Sequence, residues 1–183
     1  NVVLLSVVIC AFGEFIFERR VSADTDTILK NSASNSSTIN IEQSLPSFPE
    51  PVRKWIVRCG VLKKRDIRYG RITQHAFMKL KPDQNDWYEA TAVQYTSIND
   101  PAFIWTVNMK LNSLLWFRGC DKYMNGEGSM MIKANALIPV VNSHGDKLNE
   151  GTIQRFLGEM VWFPTLAGSP YVTWQAIDSL TAQ

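Results

Sequence analysis

Between residues 71 and 141 the chain is cut into strand-length pieces by turn signals, and this constrains the fold more than any other feature. Phe103 to Leu111 alternates. Phe103, Trp105, Val107, Met109 and Leu111 lie on one side, and Ile104, Thr106, Asn108 and Lys110 on the other. That is the period of an extended strand. Arg71 to Leu80, Trp87 to Thr96, Leu114 to Tyr123, Ser129 to Ala136 and Leu137 to Val141 also read as strands, and Tyr171 to Ile177 adds a last one. Polar breaks at 81–86, 99–101 and 142–146 separate them, and Asn125-Gly126 is the strongest hairpin signal. Connections this short pair neighbours antiparallel. A strongly twisted meander tends to curl. The expected class is therefore α+β, a curved antiparallel sheet (a half-barrel-like meander) with two main helices, preceded by an N-terminal hydrophobic helix.

The first main helix follows from Val52, Trp55, Ile56 and Cys59 at i, i+3, i+4 and i+7, with Pro49 and Pro51 at its start and Gly60 at its end. The second runs from an expected N-cap at Asn149 to just before Pro164. In it Ile153, Phe156, Leu157, Met160 and Val161 form an apolar stripe, which places Arg155, Glu159 and Trp162 together on the opposite side.

Three segments are expected: 1–21 a membrane anchor or signal, 22–44 a polar linker, and 45–183 a single α+β domain. Val2 to Phe17 is nearly all apolar and Glu18-Arg19-Arg20 follows. A spanning helix needs about 20 apolar residues. One reading is an anchor with Arg19 and Arg20 at the interface. Another is a secretory signal with Val21-Ser22-Ala23 as its cleavage site. A buried core segment fits less well with the polar tract behind it. Ser22 to Ser47 is rich in Ser, Thr, Asn and Asp, and reads as a stalk carrying at most a helical turn at Thr27 to Lys30. It includes the N-glycosylation triplet Asn35-Ser36-Ser37. Three cysteines leave open whether Cys59 and Cys120 pair.

Leu45-Pro46, Pro51-Val52-Arg53, Gln94, Phe103-Ile104-Trp105, Asp121-Lys122-Tyr123 with Gly126-Glu127-Gly128, Arg155-Phe156-Leu157-Gly158-Glu159 with Trp162-Phe163-Pro164, and Trp174 with Ile177-Asp178 form a further pattern. With these the chain resembles a bacterial family of unknown function, the one numbered 6544, over about residues 45–180. The resemblance implies a bacterial source and an N-terminal membrane segment ahead of one domain. It implies no activity and no ligand.

A net charge of +2 without a basic run points away from nucleic acid. His75 and His144 are isolated, so no metal or other cofactor is expected. No nucleophile elbow or Cys–His spacing supports a hydrolase. Arg155 and Glu159 stand one turn apart and can touch. They read as a structural ion pair, as an anion-receiving arginine with its partner, or as a site with Glu159 as general base. The candidate ligand-binding residues are Arg155, Glu159, Trp162, Trp105, Asp121 and Tyr123. The leading expectation is a membrane-tethered, non-enzymatic module holding a lipid-like or other apolar small molecule in a concave sheet. Its rivals are a small enzyme pairing Glu159 with Asp121 or Asp178, and a purely structural or partner-binding envelope domain.

Overall fold

The computed structural model describes residues 2–34, 39–63 and 67–183. Six strands follow one another: β1 (Tyr69–Met78), β2 (Tyr88–Ser97), β3 (Ala102–Lys110), β4 (Trp116–Met124), β5 (Glu127–Ala134) and β6 (Ile138–His144). They form one antiparallel sheet in the order β1-β2-β3-β4-β5-β6. The hairpin at Asn125-Gly126 has both residues at positive φ, 56° and 85°, which matches the twist of its strands. The register sets Gln94, Trp105, Asp121 and Met130 side by side across β2–β5, and Val107, Gly119 and Ile132 in the next row.

Two layers cover the sheet. On the face of Phe103 and Trp105 lie α2 (Ile41–Ser44), α3 (Glu50–Cys59), α4 (Asp146–Gly158) and two 3₁₀ turns, Glu159–Trp162 and Pro164–Gly168. Their apolar side chains enclose the main core around Val52, Ile56, Ile98, Phe103, Phe156 and Leu166. α3 ends where expected, on Gly60 at φ 66°. α4 starts at Asp146 rather than Asn149 and has no side-chain cap. Asn149 instead accepts a bond from the Gly128 N–H at 2.7 Å, so it ties the helix to β5.

The other face carries α1 (Val2–Ser34), a helix that runs through most of the stretch expected as a linker. Its Phe17 and Ile28 are buried with Ala102, Ile104 and Cys120 in a second apolar cluster. Polar contacts bind the same helix to β4: Trp116 donates to Glu14 at 2.6 Å, Arg118 pairs with Glu18, and Lys122 pairs with Asp24 at 2.7 Å. Residues 22–34 are therefore helical, well beyond the single turn expected at Thr27 to Lys30. The triplet at Asn35 lies outside the described residues. Nearer the start of α1, Leu4, Leu5, Val7, Val8, Phe12 and Phe15 are exposed. Among the described residues no helix is long and apolar enough to cross a membrane.

One further expectation is corrected, and the question left open for the cysteines is answered. Tyr171 to Ile177 is not a sheet strand. It makes a single bridge, Ala176 to Ala182, and the backbones of Gln175 and Gln183 bond to each other instead of to a sheet edge. Cys59 is exposed at the end of α3 while Cys120 is buried beneath α1, and both are free thiols. Burial pushes the Cys120 thiol up to about 12.

Candidate functional site

A polar knot sits between α4 and the sheet. α4 gives way to a 3₁₀ turn at Glu159. Phe156 and Met160 are buried, whereas Leu157, Val161 and Trp162 are exposed. Arg155 and Glu159 consequently turn toward the sheet beside the buried residues, not away from them. Trp162, half exposed, does not join them.

Arg155 spends its donors on three partners. Its Nε bonds Glu159 at 3.0 Å, one terminal nitrogen pairs with Asp121 Oδ2, and the other bonds Gln94 Oε1 at 2.8 Å. The Gln94 amide nitrogen in turn donates to Glu159 and, at 3.0 Å, to Thr96. The guanidinium also lies over two rings, 4.7 Å from the centre of Phe103 and 5.2 Å from that of Trp105. Such stacking suits its weakly hydrated plane. Trp105 completes the row by donating to Gln74 at 2.8 Å. Three of its five N–H donors and its two carboxylate partners are thus committed within the knot.

The structure therefore brings together four of the six candidate residues: Arg155, Glu159, Asp121 and Trp105. Tyr123 packs against the main core instead and lines a separate cleft near Ala102 and Asn125. Asp178 is exposed and accepts from the Leu180 N–H at 2.7 Å, far from any pairing with Glu159. Gln94, 1% exposed, is the central residue that the site reading lacked. Its signal was an amide at an inward position of the Ala90, Ala92, Gln94, Thr96 alternation. Among the described residues, no group of three or more His, Cys, Asp or Glu could hold a metal ion.

Asp121 is the strained member of the knot. Burial raises its pKa above the ordinary 3.8, with Arg155 pulling the other way and Glu159 adding to the rise. Its Oδ1 is buried with no well-formed hydrogen bond. Because the folded pKa exceeds the unfolded one, the associated stability is full below 3.8 and is lost as pH rises through the folded value. The stability of the wild type relative to Asp121→Asn should thus fall as pH rises across the acid range, in urea titrations of both proteins. A difference that grows with pH would contradict the assignment.

Beyond Trp105 and Arg155 the same sheet face continues as an open groove of about 290 Å³, floored by Val107, Gly119 and Ile132 and edged by Met109, Phe117 and Leu80. An adjoining depression extends over Gln74, Ala76, Ala90 and Ala92. The groove is lined mainly by apolar side chains, and Lys79, Asp121 and Arg155 are its charged residues.

Residues 38–183 match the family described as "Family of unknown function (DUF6544)". The chain belongs to this family. No curated protein and no solved structure matches it. The matched residues of this DUF6544 chain contain the whole sheet, the knot and the groove, whereas α1 precedes them.

Proposed function

We propose that this chain is a membrane-tethered binding module that holds a small apolar or amphipathic ligand in the groove on the Trp105 face. One observation carries the reading: a mainly apolar groove on the sheet is also lined by the buried Asp121 and its partner Arg155. Ligand sites commonly combine such walls with a few convergent polar groups. In this reading the sheet acts as a bent trough. The irregular register between Ile132 and Lys133 in β5 supports a bend there. Tethering draws on the exposed apolar side chains between Leu4 and Ile16 and on Arg19 and Arg20 behind them. The domain is then a bacterial envelope or membrane-surface protein.

The enzymatic alternative draws on the raised pKa of Asp121 and on Glu159 beside it. Against it, one guanidinium holds both carboxylates in ion pairs, the arrangement of a structural network. A purely structural domain would have no use for an open apolar groove.

The reading is tested with diphenylhexatriene, a hydrocarbon probe that fluoresces in apolar surroundings. The wild-type chain should bind it. Val107→Phe, which projects a ring from the groove floor, should abolish binding without changing the melting temperature. A wild type that leaves the probe dark, or a variant that binds it equally well, ends the reading.

A further inference from the structure

This inference rests on the groove reading above. We infer that the groove takes an amphipath bearing a protonated primary amine, with the head group seated at Asp121 and the tail along Val107, Gly119 and Ile132. The charge count comes first. The knot holds one guanidinium and two carboxylates, so its formal sum is one negative charge. Three of the five N–H donors of Arg155 are matched, to Glu159, Asp121 and Gln94. Trp105 has spent its N–H on Gln74. An anionic head arriving here meets surplus negative charge. Protonating Asp121 alone brings the sum only to zero.

The second observation is independent of the sum. Asp121 is 6% exposed, one of its oxygens takes the arginine, and Oδ1 is buried with no well-formed hydrogen bond, the carboxylate having only the backbone N–H of Lys122 as a further weak donor. A buried acceptor left unmatched is costly. An ammonium supplies three donors and the missing charge in one compact group. Rotation of the carboxylate about its soft terminal torsion can turn the unmatched oxygen toward the groove that Asp121 lines.

Lys79 is the other cation on the groove. It stands at the edge, with its ammonium 4.8 Å from the centre of the Trp87 ring. It defines the rival orientation, an anionic head outside and a tail pressed inward. That arrangement would set hydrocarbon against the unmatched Asp121 oxygen and leave its cost in place.

The experiment displaces diphenylhexatriene from the full chain at neutral pH with dodecylamine, dodecanol and dodecanoate, each below its micelle-forming concentration. Dodecylamine should act at a concentration at least about tenfold lower than dodecanoate, the scale of one charge-assisted hydrogen bond. Asp121→Asn should erase most of that ratio. If this variant does not fold, Glu159→Gln replaces it, since it balances the cluster at one charge of each sign and must also reduce the ratio. Equal potency, a preference for dodecanoate, or a ratio that vanishes in Lys79→Gln and persists in Asp121→Asn overturns the inference while leaving the groove reading intact. A wild type that binds no probe overturns both.

Discussion

Replacing Arg155 with alanine should lower the stability of this chain by about 3 kcal/mol, the lower end of what is lost when a buried ion pair is broken from one side. The lower end applies because the arginine side chain keeps 28% of its surface exposed and water screens part of the loss. The reason for so large an effect is what stays behind. Asp121 and Glu159 remain as two carboxylates with no cation between them, and Gln94 loses its donor inside the sheet. Two aromatic faces lose their cover as well. Arg155→Lys should recover only part of the loss, because an ammonium cannot reproduce a planar fork directed at three acceptors. The triple change Arg155→Met, Asp121→Asn, Glu159→Gln should be far milder than the single one, since it removes the charges together. Urea denaturation with an unchanged slope is the measurement. A loss below about 1 kcal/mol would place Arg155 among ordinary surface pairs and dissolve the knot as a fixed structure.

The contrast between what the residues announced and what they concealed has a physical basis. Hairpins are local, so Asn125-Gly126 and the alternation of Phe103 to Leu111 were legible, as was the Gly60 cap of α3. Register is not local. Nothing in the sequence sets Gln94 beside Trp105 and Trp105 beside Asp121, yet that row is the floor of the knot. Helix phase failed for a different reason. The expected stripe placed Leu157 and Val161 with Phe156 and Met160, but the buried line runs through Thr152, Phe156 and Met160, and Leu157, Val161 and Trp162 point outward. The last third of α1 was hidden by its composition. Its buried positions after Phe17 include Thr25, Ile28 and Ser32, which keep helical spacing from Phe17 at i+8, i+11 and i+15. Two of them are small hydroxyl residues that hydropathy scores as linker. Ser32 satisfies its own cost of burial by donating to the Arg68 carbonyl at 2.7 Å.

Because α1 docks through its own small cluster, Phe17→Ala should cost about 3–5 kcal/mol of docking free energy, the range for emptying a buried aromatic site. Phe17 is 1% exposed, and the Arg118 guanidinium lies 4.7 Å from its ring centre. The ion pairs cannot substitute for it. Glu18 is more than half exposed in its side chain, and pairs of that kind contribute little. Phe15→Ala is the matched control, since Phe15 is 56% exposed on the same helix. It should change stability by no more than about 0.5 kcal/mol. Cys120 supplies the readout, for its thiol lies in the cluster that α1 covers and reacts only when the helix lifts. Labelling of Cys120 by a thiol reagent should accelerate by roughly a hundredfold or more in Phe17→Ala, the factor that the loss implies. It should hardly change in Phe15→Ala. Equal labelling rates in the two variants would mean that α1 is not held on the sheet. The polar half of the helix would then return to the role of a tether. A hundredfold difference fixes the apolar stretch from Leu4 to Ile16 in direction relative to the sheet, and with it the orientation in which the opposite face presents its groove.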